Sequence, residues 1–237
     1  MVAILEEIKL VTKQRVEQLK TPFNEIHNDC TLEKNYSFKK GKIYGIIGEQ
    51  GEGGELISSL LSGRIPIKDE EIYCDDIELN NYKLKCMGWY VGKREYLGTI
   101  VKKQITVKKA LKLAMKKYKR YKNLKDIIEE FHLSLDRLDY KISNYSGERL
   151  RASLAIGYAS NRIIYCFPWM NTAEFHDIIL SSGVFRFFTK LKEEGCIIIL
   201  PTSRRENVIG FADEIIDINN PKFKSVLSEN PYFQEYF

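Results

Sequence analysis

The stretch GIIGEQGEGGE, residues 45–55, has the glycine spacing of a loop that cradles phosphate on backbone N–H groups. The working form reads G-x-x-x-x-G-K-[ST], in which the lysine meets the outer phosphates and the hydroxyl holds Mg2+. Counting from Gly48 puts the sixth position at Gly53, the lysine slot at Gly54 and the hydroxyl slot at Glu55. The loop keeps its glycines and lacks both residues that grip a nucleotide. It also carries Glu49, Glu52 and Glu55. One carboxylate ~4 Å from a phosphate costs about 4 kcal/mol at an effective dielectric near ~20, which is roughly a thousandfold in affinity. Gly48, Gly51 and Gly53 then read as backbone geometry, a tight turn that needs positive φ.

Other reactive side chains are sparse. His27, His132 and His176 are not spaced as a metal pair and read as surface or packing residues. The five cysteines, at 30, 74, 86, 166 and 196, are odd in number and form no CxxC, the usage of reduced thiols in a cytoplasmic protein. Lys and Arg number 37 against 32 Asp and Glu, and a net charge of +5 is too small to argue for nucleic acid by itself. No apolar run approaches the ~18 residues of a membrane span. The start, MVAILEEIKLV, meets Glu6 and Glu7 where a secretory leader stays apolar.

The elements that must position the loop follow from hydrophobic period. FKKGKIYGIIGE (38–49) predicts a buried strand at 43–47, and ELISSLLSG predicts a helix with Leu56, Ile57, Leu60 and Leu61 on one face and Gly63 as its stop. EIYCDDIEL and LKCMGWYVG, within 69–91, predict strands of a smaller sheet. Residues 105–138 predict helix broken near Asn123, and 146–159 a further helix. An apolar strand at 163–167, a helix at 175–192, the strand CIIIL at 196–200, a short helix at 204–211 and a last strand at 214–218 complete the series. Strands alternating with helices predict an α/β fold with a mostly parallel sheet.

The order of these pieces resembles that of an ATP-binding cassette (ABC) ATPase over almost the whole chain. The matching stretches are GKIYGIIGEQGEGGELISSLLSG, ISNYSGERLRASLAIGYA, RIIYCFPWM, GCIIILPTSRRE and FADEIIDI. The resemblance implies a P-loop NTPase-like (RecA-like) core with a small antiparallel β region, formed by 1–98 and 146–237, and a helical subdomain at 99–145. It also locates the chemistry. The family's P-loop Lys and Ser/Thr correspond to Gly54 and Glu55, and the glutamine-loop position to Lys93. The metal ligand and catalytic base that end the Walker B strand correspond to Cys166 and Phe167, and the switch histidine to Ser203. All of these positions have lost their reactive group. With no lysine the phosphates lose a point charge, with no carboxylate at 166 the magnesium shell is missing, and with none at 167 nothing activates water.

The signature motif is best preserved, as Ser143-Asn144-Tyr145-Ser146-Gly147-Glu148-Arg149. It resembles SGGER with one glycine deleted, or, read without a gap, puts Tyr145 in the serine slot. In the family this helix start binds the nucleotide held by the other subunit. The resemblance therefore implies a catalytically inactive subunit that has no cofactor at its own P-loop. It would present Ser146, Gly147 and Glu148 in trans to ATP and Mg2+ shared with an active ABC ATPase partner. It further implies a membrane permease as second partner, a place on the inner face of the cell membrane, and heterodimerisation. A plain N-cap at Ser146 is the competing reading.

Basic residues crowd 102–125, among them Lys108, Lys109, Lys112, Lys116, Lys117, Lys119 and Arg120. They suit a solvated helix face, a permease's coupling helix or anionic lipid heads; Tyr118 and Tyr121 between them leave nucleic acid as a third reading, but no nucleic-acid partner is expected. Phe23 reads as the adenine-stacking aromatic or as core. Trp89 and Trp169 read as packing, and the tail 232–237 as packed on its own chain or docked on a partner. Two other functions stay open: a regulator or scaffold with the same fold, and an enzyme rebuilt from Glu49, Glu52, Glu55 and Lys93. The richness in Lys, Ile, Asn and Tyr fits an AT-rich bacterial genome.

Overall fold

The structure is a computed structural model that describes residues 6–20, 26–93, 96–97, 103–141 and 147–218. Its strands, in chain order, are β1 (Glu7–Thr12), β2 (Arg15–Lys20), β3 (Ile26–Thr31), β4 (Lys34–Lys39), β5 (Ile43–Ile47), β6 (Glu71–Cys74), β7 (Ile77–Glu78), β8 (Gly88–Tyr90), β9 (Tyr96–Leu97), β10 (Lys103–Gln104), β11 (Ile164–Cys166), β12 (Ile197–Thr202) and β13 (Glu214–Asp217). The helices are α1 (Gly54–Leu61), α2 (Asn81–Met87), α3 (Val107–Tyr118), α4 (Leu124–Glu130), α5 (Gly147–Ala159), α6 (Thr172–Phe175) and α7 (Arg186–Glu193).

A five-stranded parallel sheet, in the order β13-β5-β12-β11-β8, organises the fold. Its central strands are covered on both faces, so they read as continuous apolar runs. Period-2 alternation divides their side chains between two cores. Tyr44, Ile46, Ile164, Cys166, Ile197 and Ile199 pack toward the antiparallel sheet β4-β1-β6-β7, against Ile8, Leu10 and Phe38. Ile43, Tyr165, Phe167, Ile198 and Leu200 pack on the opposite side with residues of α3, α4, α5 and α7. The glycine loop leaves the carboxyl end of β5, where open α/β sheets collect their ligands.

The predicted parallel sheet, β5, α1 and the break before α4 are as the sequence reads. Asn123 breaks the helix because its side chain caps α4, accepting from the Asp126 N–H at 2.9 Å. Other expectations change. Helix α1 is buried all round, with Ile57 and Leu61 in the sheet core and Leu56 and Leu60 against Leu19 of β2. LKCM is helix, started by the Asn80 cap, and only Gly88–Tyr90 is strand, at the edge of the parallel sheet. The helix expected at 175–192 is α6, a π-turn over His176–Ser181 and α7, separated at Gly183, whose φ is +73°. The helix expected at 204–211 is a single 3-10 turn, Arg205–Asn207. Strands β1–β4, absent from the sequence reading, supply the antiparallel sheet and a separate hairpin, β2–β3.

Candidate functional site

The loop between β5 and α1 has positive φ at Gly51, +96°, and at Gly53, +110°; Gly48 has none, and a Cβ there would stand 3.1 Å from the Ile218 carbonyl oxygen, so close approach is what it answers to. Several of the loop's backbone donors are already engaged. The Glu49 N–H donates to Glu52 Oε2 at 2.8 Å. The Gly53 N–H donates to Asp29 Oδ1 and the Leu56 N–H to Asp29 Oδ2, each at 2.6 Å. Asp29 lies on β3 and is fully buried. The Cys30 N–H adds a bond to the Gly51 carbonyl at 3.0 Å. A Cβ on Gly53 would stand 2.8 Å from the Cys30 carbonyl oxygen, so this glycine is needed for close approach to β3 as well as for its φ.

Glu55, in the hydroxyl slot, is the hub of a second cluster. Its carboxylate accepts from Arg64 Nη1 at 2.9 Å, Tyr90 Oη at 2.5 Å and the Trp169 N–H at 2.8 Å, with a longer contact to Ser59 Oγ. Its side chain is 1 % exposed. Arg64 also donates to the Lys20 carbonyl of the hairpin and stacks its guanidinium 4.3 Å from the Tyr90 ring centroid. Trp169 Nε1 donates to the Gly48 carbonyl at 2.9 Å. A Cβ at Gly54, the lysine slot, would meet Pro201 Cβ at 3.0 Å and Trp169 Cδ1 at 3.3 Å. Trp169 is therefore a wall of the loop as well as a packing residue.

Burial pushes both carboxyls up. Asp29 is raised to about 7, chiefly by burial and further by the nearby Glu55, against the pull of its N–H bonds. Glu55 is raised by burial against Arg64, Tyr90 and the Trp169 N–H. Burial thus outweighs the donors that each carboxyl has.

The other expected positions are spread over the fold. Cys166 and Phe167 are fully buried at the end of β11, in opposite cores, and the Cys166 thiol is pushed well up by burial. Lys93 sits with its ammonium 3.7 Å from the Trp89 ring centroid. Ser203 Oγ is 3.5 Å from Thr172 Oγ1. Gly147 starts α5, and a Cβ there would fall 2.0 Å from Ser182 Cβ of the same chain. Glu148 accepts from the Ser134 N–H at 2.9 Å and pairs with Arg151. Ser146, Phe23 and the tail 232–237 lie outside the described residues. Among the described residues no group of three or more His, Cys, Asp or Glu could hold a metal ion, and no helix is long and apolar enough to cross a membrane.

Asp29, Arg64 and Tyr90 were not singled out by the sequence. Asp29 stands 24 residues before Gly53, and only the fold brings the two together. ATP and Mg2+ are the ligands that the resemblance implies for such a loop. The lysine slot is walled by Trp169, the hydroxyl slot is a buried carboxylate, and two of the loop N–H groups are bonded to Asp29.

No family model matches the chain. Over 199 residues it is 23 % identical to the galactose/methyl galactoside import ATP-binding protein MglA of Clostridium tetani, covering 78 % of this chain and 39 % of that protein. Over 223 residues it is 26 % identical to the energy-coupling factor transporter ATP-binding protein EcfA1 of Fusobacterium nucleatum, covering 89 % and 80 %. Among solved structures, the dimeric post-hydrolysis state of the ATP-binding cassette MJ0796 bound to ADP and Pi superposes with a TM-score of 0.63 at 16 % identity, over 90 % of this chain and 94 % of that one. An ATP-binding subunit of an ABC transporter gives 0.58 at 16 %, over 88 % and 86 %. The chain thus has the P-loop NTPase fold of these solved cassettes, with a parallel sheet and a smaller antiparallel sheet.

Proposed function

We propose that this chain is a catalytically inactive nucleotide-binding-domain subunit of an ABC transporter. It pairs with an active ATPase subunit beneath a membrane permease, on the cytoplasmic face of the membrane. The observation that carries the reading is Glu55. A working site needs a hydroxyl there to hold Mg2+; here a buried carboxylate bonds to Arg64, Tyr90 and Trp169 and has become part of the protein interior. With Cys166 and Phe167 in place of the two carboxylates, the chain has neither the metal ligand nor the base for phosphoryl transfer.

Its contribution to the assembly is surfaces. The start of α5 is offered in trans to the partner's ATP. The outward side of α3, with Lys109, Lys112 and Lys116 exposed, suits the permease. The reading as an enzyme rebuilt around the loop is disfavoured by the same geometry, because Glu55 is buried and Lys93 stacks on Trp89.

The test is recovery of tagged chain from native membranes, with identification of what comes with it and assay of the complex's ATPase. An active cassette and a permease are expected, with ATPase reduced at least ~10-fold by Ser146→Arg, a ratio that corresponds to about 1.4 kcal/mol. Recovery of neither protein, or ATP turnover by the purified chain alone, overturns the reading.

A further inference from the structure

The misfit between the loop and its expected ligand has a specific form. A phosphate loop works because N–H groups at the start of a helix converge on an oxyanion. In this chain they converge on one too. Asp29 presents both carboxyl oxygens, one to Gly53 and one to Leu56, three residues apart across the first turn of α1. The hairpin that carries Asp29 is fixed from the outside. Arg15 of β2 pairs with the buried Glu70 at 2.9 Å and donates to the Pro66 carbonyl, Arg64 donates to the Lys20 carbonyl, and Leu19 packs on Leu56 and Leu60.

We propose that Asp29 is the resident ligand of the phosphate loop: a carboxyl group of the chain itself occupies the oxyanion cradle and locks the β2–β3 hairpin over it. The inference deepens the proposed function, since it explains why the glycine loop keeps its shape after losing its nucleotide. Gly51 and Gly53 hold the backbone donors in the arrangement that grips Asp29, and Gly53 makes room for the Cys30 carbonyl beside it. The elevated carboxyls of Asp29 and Glu55 are consistent with this, because both groups are closed off from water inside the chain. The ligand class is a small planar carboxylate, which matches two parallel N–H donors as one phosphate edge would.

The test compares wild type with Asp29→Ala and Asp29→Asn at pH 6, by thermal unfolding and by backbone amide NMR. Sodium formate, inorganic phosphate and Mg-ATP are titrated in against sodium chloride at matched ionic strength. Wild type is expected to ignore all three, with the Gly53 and Leu56 amide protons unmoved. Asp29→Ala is expected to melt about 8 °C lower for the loss of two buried hydrogen bonds in a chain of this size, and formate to restore part of that loss saturably. Asp29→Asn offers one acceptor and one donor to two N–H groups, so it too melts lower and exchanges the Leu56 or the Gly53 amide faster.

The inference is overturned if phosphate or Mg-ATP moves the Gly53 and Leu56 amides of wild type, or if both variants melt with wild type. Should neither variant fold, the wild-type titration alone decides. ATP hydrolysis by wild type would refute inactivity while leaving these two amides as a separate readout, so the two readings fail independently.

Discussion

Replacing Glu55 with the serine that a working loop would carry is expected to cost the protein stability and to return no activity. The carboxylate is fully inside and accepts three good hydrogen bonds, from Arg64, Tyr90 and the Trp169 N–H. Serine is too short to reach them. The Tyr90 hydroxyl and the Trp169 N–H are then buried without acceptors, at about 1–3 kcal/mol each. Arg64 loses its ion pair but is 27 % exposed and retains the Lys20 carbonyl, so its share is modest. Relief of Glu55's own desolvation, which raises its carboxyl, offsets part of the total. The net is about 3 kcal/mol, at the lower end of the ~3–5 for breaking a fully buried pair, and it lowers the melting temperature by about 9 °C in a protein of this size. Arg64→Met is expected to cost less, about 2 kcal/mol, because the stranded carboxylate can take up a proton. The double variant then shows a coupling of about 1–2 kcal/mol. Urea unfolding with an unchanged m-value measures all three. Glu55→Ser within about 0.5 kcal/mol of wild type, the scatter of an ordinary surface change, would refute the view that the hydroxyl slot has been absorbed into the core.

Restoring the lysine alone, Gly54→Lys, is expected to yield no Mg-ATP binding by calorimetry and to destabilise by about 1–3 kcal/mol, since its Cβ crowds Pro201 and Trp169. The raised carboxyl of Asp29 gives a pH signature. The native chain holds a proton that the unfolded chain releases, so this group's stabilising effect is complete below about 4 and is lost as pH rises through about 7. The margin over Asp29→Ala therefore narrows across that window, and the Gly53 and Leu56 amide shifts titrate together near 7. Native alkylation followed by mass spectrometry is expected to label the exposed Cys86 and to spare Cys166 and Cys196, whose buried thiols are pushed up, Cys196 to about 11. Gly147→Ala is expected to destabilise by about 2 kcal/mol through collision with Ser182, and Ser182→Gly in the same chain to recover much of it. A Gly147→Ala that is neutral for folding yet abolishes a partner's ATPase would instead mark this glycine as purely a trans contact.

What the sequence disclosed and what it hid divide along a physical line. Strands β5 and β12 were legible because burial on both faces leaves unbroken apolar runs. The turn into α4 was legible because Asn123 caps it. The hairpin strand IHNDCT was not, because it buries Asp29, Cys30 and Thr31 in place of an alternating apolar set. Those residues are inside because they bond to the loop and its surroundings, and a pairing across 24 positions leaves no period to read. The segment 175–192 misleads for the opposite reason: its apolar pattern runs on through Gly183, where a left-handed backbone stops the ladder.

The same line runs through the site. Slots that depart from the phosphate-loop pattern are visible one residue at a time, but what fills them is visible only as a set. Glu55 can be buried because Arg64 and Tyr90 reach it, and Trp169 can close on Gly54 because no lysine stands there. Each replacement is costly alone and tolerable with the others: a buried carboxylate needs its donors, and loop donors bereft of phosphate need a carboxylate. It follows that no single reversion should restore nucleotide binding. The smallest set with a chance must combine Gly54→Lys with removal of both Asp29 and Glu55, since Asp29 holds two of the loop N–H groups and Glu55 fills the hydroxyl slot. Measurable Mg-ATP affinity in Gly54→Lys alone would show that the carboxylates do not govern the site, and the coupled account of its loss would have to be abandoned.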